Sequence, residues 1–396
     1  SEMMKSEAEN WAFKLADNLV PWTFAATALT WLVTRNIARA TSILMVDFCC
    51  ALKLSMPIAV LSAMREAGKH HISVKGGKYL EAFAKADTIV FDKTGTLTCA
   101  RPTVKDIITF GENDKEEMLR LAACLEEHYP HSIANAVVEE ARRQGLVHEE
   151  RHAKVNYVVA HGIASSIDGE KVCIGSGHFI FDDEGCQIPG GEEEKFDALP
   201  EEYSHLYMAI GDRLCAVILI EDPVKSEARG VIKKLHEAGF EKIVMMTGDS
   251  ERVAKSVCEA TGIDEYKAEV LPEDKAAFIR SERLAGRRCV MIGDGVNDSP
   301  ALSEADVGVA MNDGAAIARE IADITFTSDE LEALVVLREL SEALMGRIRR
   351  NYNFIVSFNS FLILMGMIGA FPSTMTAFLH NASTIGIGVD SMTDLL

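Results

Sequence analysis

The chain has no excess of basic residues. Its 396 positions carry 40 Lys and Arg against 60 Asp and Glu, a formal net charge of −20. That balance excludes a nucleic-acid partner, because phosphates need a basic face to meet them. The nine cysteines include no Cys-x-x-Cys pair and no framework of a small secreted domain, so they read as reduced thiols in a cytosolic setting. No basic segment with a short apolar core and a cleavage site opens the chain, which sets aside a signal peptide. Internal repeats and low-complexity tracts are absent as well. The composition is not that of a disordered chain, since 48% hydrophobic residues are enough to build a core. The length calls for two or three domains.

Hydrophobicity is unevenly placed. Leu19 to Val33 is almost wholly apolar, and Thr41 to Met64 is long, apolar and broken only by Asp47 and Lys53. Phe354 to Phe371 and Thr374 to Leu396 repeat the pattern. Each stretch approaches the roughly 20 residues that a membrane helix needs. Core helices of a large soluble protein are the competing reading, but two pairs of stretches around a polar middle favour a multi-pass membrane protein. Arg65, Lys69, Lys75, Arg347, Arg349 and Arg350 stand where the middle meets the second and third stretches. The positive-inside rule therefore places residues 65–350 in the cytoplasm, with Arg35 and Arg39 a weaker opposing vote. In a bacterial host the membrane is the plasma membrane.

Between the stretches, short β-rich apolar runs alternate with helical patterns, the signature of a parallel sheet. Thr88–Phe91, Lys242–Met246 and Arg288–Ile292 each end in a polar cluster: Asp92-Lys-Thr-Gly-Thr96, Thr247-Gly-Asp249 and Gly293-Asp-Gly-Val-Asn-Asp298. In open parallel sheets the active site lies beyond the carboxyl ends of the strands, so three strands deliver Asp, Thr, Gly and Asn to one edge. Glycines there let N–H groups approach an anion. From Arg101 to Ala216 the pattern is interrupted by a segment that should fold as its own lobe. It has a helical run near Lys115–Gln144, strand character over Val155–Ile167 and Lys171–Phe181, and an acidic loop at Glu192–Lys195.

An aspartate just after a buried strand, followed by a turn of Gly and Thr, suits a carboxylate nucleophile on phosphorus. Asp92-Lys93-Thr94-Gly95-Thr96-Leu97-Thr98 resembles the phosphorylation motif of P-type ATPases, ion pumps with a haloacid dehalogenase-like core. Asp222-Pro-Val-Lys225, Met246-Thr-Gly-Asp249, Leu271-Pro-Glu-Asp-Lys275 and Met291-Ile-Gly-Asp-Gly-Val-Asn-Asp-Ser-Pro300 follow in the family's order. The resemblance, to the heavy-metal branch, covers nearly the whole chain. It implies an α/β fold: a parallel-sheet phosphorylation domain (67–100 and 218–345) holding an inserted α+β nucleotide-binding domain (101–217). Transmembrane helices (1–66 and 346–396) flank it.

The resemblance implies ATP and Mg²⁺ as cofactors. Asp92 becomes an aspartyl phosphate, and phosphoryl transfer then rests on positioning and charge neutralisation. Mg²⁺ takes hard oxygens, from Asp92, the Thr94 carbonyl, Asp294 and Asp298. Lys275 meets the transferring phosphoryl group, Thr247 and Gly248 offer donors, and Lys93, Asp249 and Asn297 complete the set. A turn-forming role competes for Asp249 and Asp298. The nucleotide lobe of the heavy-metal branch carries a Glu…His-Pro pair and a Gly-x-Gly. Here Glu127 and His131 are the matches, with Ser132 in place of proline and His128 a rival. Gly162 and Gly175 take the glycine positions, and Asp222 and Lys225 support the hinge to the lobe.

In these pumps the helix before the phosphorylation motif holds Cys-Pro-Cys or Ser-Pro-Cys. This chain reads Phe48-Cys49-Cys50-Ala51-Leu52, with Pro57 retained. Cys49 replaces the helix-breaking proline, so the kink that proline imposes is not dictated by sequence. A thiolate favours Zn²⁺, Cd²⁺, Co²⁺ or Cu⁺ over hard ions; small apolar packing is the alternative for both cysteines. The last stretch, His380-Asn-Ala-Ser-Thr384, resembles the His-containing helix of divalent-metal pumps, and His380, Asn381 and Ser383 join Cys49 and Cys50 as ligand candidates. Asn353 and Asn359 could line the path. Charges at membrane depth default to function, which flags Asp47, Lys53, Asp390 and Asp394. The expected cargo is a divalent ion of Zn/Cd/Co type; Cu⁺ stands as the alternative, and Mn²⁺ if Cys49 does not bind.

No Thr-Gly-Glu occurs in the chain. P-type pumps carry it on an upstream actuator domain that directs water onto the phosphoenzyme. The expectation is a C-terminal part of a longer pump or one product of a split gene, partnered by the actuator half, the bilayer and the transported metal. The rival class is a haloacid dehalogenase-like phosphatase acting on a soluble phosphomonoester. Such enzymes place a second Asp where Thr94 stands, and Thr94 favours a long-lived phosphoenzyme.

Overall fold

The computed structural model describes residues 7–99, 101–127, 132–146, 156–158, 162–167, 169–200, 202–293, 298–311 and 320–396. Two compact units emerge: residues 1–90, 233–243 and 272–396 form the first, and residues 91–232 and 244–271 the second.

All four hydrophobic stretches are helical. The first lies within α1 (Glu7–Thr34). The second does not run through as one helix. It divides into α2 (Ile37–Leu44) and α3 (Phe48–Lys69), with Met45 to Asp47 between them. No proline makes the break. The Asp47 Oδ2 accepts the Cys50 N–H at 3.1 Å, closing the start of α3 as a side-chain cap. The third and fourth stretches form the ends of α12 (Glu332–Ile368) and α13 (Ser373–Met392). Helix α3 packs on α1, α12 and α13. Of the described helices, one, Glu332–Ile368, is long and apolar enough to cross a membrane. Charges at Lys53, Arg65, Glu66 and Lys69 lower the hydropathy of α3, and His380, Asn381 and hydroxyl residues lower that of α13.

The apolar runs of the middle become β2 (Thr88–Asp92), β9 (Lys242–Met246) and β11 (Cys289–Gly293), with β2 and β11 buried throughout and β9 buried past its first residue. With β1 (Ile72–Val74), β10 (Glu265–Lys267), β12 (Val307–Ala310) and β13 (Ile324–Phe326) they fall in the sheet order β1-β13-β12-β11-β2-β9-β10. The β11–β12, β12–β13 and β9–β10 pairs are parallel, and β1 pairs antiparallel with β13. Continuous rather than alternating burial is what a sheet covered on both faces requires. Helices α4 (Gly77–Lys85), α8 (Ala228–Glu237), α9 (Glu251–Thr261), α10 (Pro272–Leu284) and α11 (Ser299–Glu304) alternate with the strands.

The inserted lobe has its own antiparallel sheet, order β3-β8-β7-β6-β5-β4, from β3 (Thr103–Thr109), β4 (Asn156–Val158), β5 (Gly162–Ile167), β6 (Glu170–Gly175), β7 (Ser204–Ile210) and β8 (Arg213–Glu221). The sheet thus continues to Glu221. The helical run resolves into α5 (Lys115–Glu126) and α6 (Ser132–Arg143), which bury Leu119, Ala122, Leu125 and Val137 against Ile163, Ile174, Met208 and Ile218. The acidic stretch expected as a loop begins a short helix, α7 (Glu193–Asp197). Phe196 anchors it by packing beside Phe110 and Phe181. Where the insertion leaves and rejoins the core, its two ends are hydrogen-bonded: Cys99 N–H donates to Pro223 O at 3.1 Å and Lys225 N–H to Leu97 O at 2.9 Å.

Candidate phosphorylation and nucleotide site

Strand β2 ends in the buried carboxylate Asp92. The next residues turn sharply, with Thr94 extended (φ −75°, ψ 127°) and Gly95 left-handed (φ 73°, ψ −6°). A left-handed residue at this point is glycine's natural place. Thr98 pins the turn: its hydroxyl donates to Asp222 Oδ2 at 2.6 Å and accepts the Gly95 N–H at 3.3 Å. Lys93 is buried, with Nζ 2.7 Å from Asp249 Oδ2 and 3.9 Å from Asp222 Oδ2. Three segments distant in sequence therefore hold one turn.

The loop after β9 is built similarly. Thr247 Oγ1 donates to Asp249 Oδ2 at 2.7 Å and accepts the Asp249 N–H at 3.1 Å. Asp249 thus both forms its turn and neutralises Lys93. Gly248 is exposed on this loop. Lys225 is buried, tied through its backbone to Leu97.

In the first unit, Lys275 on α10 meets Asp298 at 2.8 Å, and the two side chains are 7% and 3% exposed. Gly293 makes room for that pair, since a Cβ there would lie 2.6 Å from Asp298 Oδ2. The contact gives Asp298 an ion-pairing role at the end of β11. Asp294, Asn297 and His131 lie outside the described residues, as does the Cys49 side chain.

For Mg²⁺ the fit rests on donor chemistry. Asp92 and the Thr94 carbonyl are hard oxygens on a glycine turn, the donor type Mg²⁺ takes. Nearby, Asp222 Oδ1 is buried without a hydrogen-bond partner among the described residues.

A cavity of about 840 Å³ opens in the second unit. Its walls include Gly162, Gly175, Ser176, Gly177, Tyr207 and Arg252, and it reaches Gly248 and Asp249. Glu126 lines both this cavity and a second one of about 790 Å³, which Glu127 also lines, 3.7 Å from Arg142. Glu127, the glutamate expected from the sequence, thus lines the second cavity and not this one. Gly162 is demanded by packing: a Cβ would stand 2.4 Å from Phe179 Cδ1 and 2.6 Å from the Ile174 carbonyl oxygen. His205 was not singled out by its sequence. Its Nε2–H donates to Pro200 O at 2.8 Å, leaving Nδ1 to accept the Tyr207 hydroxyl at 3.1 Å. Burial holds its pKa below the ordinary value, helped by the charge of Arg252.

A second cluster occupies the helices. The His380 side chain, buried, takes the Asp47 N–H on Nε2 at 3.4 Å and lies 3.3 Å from Asn359 Oδ1 through Nδ1. Cys50 follows on the same cap. Of the expected ligands, Asn381 is exposed and Ser383 bonds back to the His380 carbonyl at 2.8 Å, so neither joins the cluster. Lys53 pairs with Asp17 of α1 at 2.6 Å, and Asp394 with Arg65 and Lys69.

Comparison with known proteins agrees with this architecture. The haloacid dehalogenase-like hydrolase family model matches residues 86–306, and a second model of the same description matches residues 277–336. The chain belongs to the haloacid dehalogenase-like hydrolases. The α/β hydrolase core with its parallel strands stands as expected. Among relatives, the zinc-exporting P-type ATPase of Mycobacterium marinum is 37% identical over 377 residues, 94% of this chain and 51% of that protein. The manganese-exporting P-type ATPase of Mycobacterium tuberculosis is 36% identical, with 94% and 52% covered. The copper-transporting P-type ATPase of Rhizobium leguminosarum bv. viciae is 36% identical over 83% of this chain and 39% of its own. A crystal structure of a zinc-transporting PIB-type ATPase in the E2.Pi state superposes with a TM-score of 0.75 at 26% identity, covering 94% of this chain and 62% of that one. Over most of its length this hydrolase is thus homologous to heavy-metal P-type ATPases. It spans about half the length of the curated relatives it matches.

Proposed function

We propose that this chain supplies the catalytic core and part of the ion path of an ATP-driven exporter of a divalent transition-metal cation, working through an aspartyl phosphate on Asp92. The observation that carries the reading is the turn after β2: a buried carboxylate, a left-handed glycine and a lysine held between two further carboxylates. An Asp92 oxygen forms a bond to the γ-phosphorus as the bond to the bridging oxygen breaks and ADP leaves. Thr247 and Gly248 donate to the phosphoryl oxygens, and Lys93 keeps Asp249 and Asp222 from repelling the anion. Asp92 and the Thr94 carbonyl would hold Mg²⁺, which would supply charge neutralisation at the phosphoryl group when bound. In the cavity, the Glu126 carboxylate is an acceptor suited to an exocyclic amine of the base.

For the cargo, Cys50 and His380 offer a thiol and an imidazole, donor types that suit Zn²⁺, Cd²⁺ or Co²⁺, while among the described residues no three His, Cys, Asp or Glu side chains are grouped closely enough to hold a metal by themselves. The Asp47 carboxylate at the cap favours one second reading, Mn²⁺, which takes hard oxygens. The helices within residues 1–66 and 346–396 are proposed as the membrane parts and the segment between them as cytoplasmic.

The test is labelling with γ-³²P ATP in detergent, with and without each of Zn²⁺, Cd²⁺, Co²⁺, Mn²⁺ and Cu⁺. Acid-stable, hydroxylamine-sensitive label that needs Asp92 and one metal, and that fades in Cys50→Ala and His380→Ala, supports the reading and names the ion. A folded, ATP-binding sample that takes no label would sink it.

A further inference from the structure

We infer that Arg252 binds the diphosphate segment of the nucleotide, bridging the lobe's base-binding wall and the phosphorylation loop. The inference deepens the nucleotide reading above and rests on it. Three carboxylates, Glu126, Asp249 and Glu269, line the 840 Å³ cavity, and Arg252 is the only lysine or arginine among the described residues that does. A polyanion entering an otherwise acidic cavity settles where that cation is.

Position agrees with charge. Arg252 stands on the first turn of α9, three residues beyond Asp249, so it follows the loop at the end of β9 directly. Its charge also reaches the opposite wall. Burial lowers the pKa of His205 and Arg252 lowers it further, while for Tyr207 burial raises the pKa and Arg252 opposes that rise. Tyr207 pairs with Gly175 in the sheet, and Arg252 lines the same cavity as Gly162, Gly175 and Tyr207 and as Gly248 and Asp249 of the loop after β9. Its planar fork can donate two parallel hydrogen bonds to phosphate oxygens, which lysine's point charge cannot.

The experiment measures ATP, ADP and adenosine binding to the full chain in detergent by calorimetry, for wild type, Arg252→Ala and Arg252→Lys. Losing a charge-assisted phosphate contact is expected to weaken ATP and ADP about 10-fold, roughly 1.4 kcal/mol, in Arg252→Ala. Adenosine affinity stays at the wild-type value, and Arg252→Lys recovers part of the loss. Equal weakening of adenosine and ATP would make Arg252 a structural residue of the wall and overturn the inference, as would unchanged ATP affinity. A wild-type chain that binds none of the three overturns the nucleotide reading itself, a different failure from either.

Discussion

Gly95 holds φ 73° in the middle of the phosphorylation turn. An L-residue with a Cβ meets a cost of about 1–2 kcal/mol in that conformation. Gly95→Ala is expected to lower thermal stability by that amount. It should depress phosphoenzyme formation more than nucleotide affinity, since the turn and not the cavity carries the strain; parallel label and calorimetry measurements check this. His205 gives a prediction in pH. Its folded pKa lies below its ordinary 6.5, so between the two values the unfolded chain binds the extra proton. Stability therefore falls as pH drops below about 6.5 and is flat above it. His205→Gln, which keeps a donor and an acceptor without titrating, should flatten that slope in melting curves taken from about pH 7 to pH 5. Neither His205 nor Arg252 carried a sequence signal. A histidine within a strand and an arginine at the start of an amphipathic helix look like ordinary surface residues until β7 and α9 are seen to share a cavity.

At the scale of elements, the buried pair Lys275–Asp298 joins α10 to the start of α11. Removing one partner leaves the other charged and buried, which costs about 3–5 kcal/mol. Asp298→Ala should therefore unfold in urea well below the wild-type midpoint. Gly293→Ala, whose Cβ would crowd Asp298, should show a smaller shift with a comparable loss of phosphoenzyme. Strands β2, β9 and β11 were legible because short apolar runs leading into turns rich in Asp and Gly mark buried strands of such a sheet. The break between α2 and α3 was not. One charged residue, Asp47, in an otherwise apolar stretch does not mark a helix break by itself; the interruption comes from its cap on Cys50 and from His380, far along the chain. Glu126 and Glu127 differ only by about 100° of helical phase, which sequence cannot assign to one wall or another without the lobe's sheet. With Cys49 in place of a helix-breaking proline no kink was dictated by the sequence; a capping carboxylate makes the break instead.

At the scale of the whole molecule, the motifs after β2, β8, β9 and β11 were readable in order because they sit at the ends of strands, whereas the His380 cluster depends on which helix faces meet. Asp47, His380 and Asn359 are brought together by packing, and the neighbours Asn381 and Ser383 are turned away. The corresponding prediction separates the two halves of the reading. His380→Ala should shift or abolish the metal dependence of labelling while leaving ADP affinity within two-fold of wild type, roughly 0.4 kcal/mol. Loss of both would mean that the helices and the catalytic core do not act separately. One further consequence follows from the hydrogen bonds that join Cys99 to Pro223 and Leu97 to Lys225. The stretch between them begins and ends at neighbouring points, so the core meets it as a single hairpin-sized aperture. Replacing everything from β3 to β8 by a short glycine turn asks the chain to close a gap already closed, and loop closure changes only slowly with length. The lobe is in that sense a cassette, and lobes of different size or base preference can be exchanged at this aperture without redrawing the sheet beneath it.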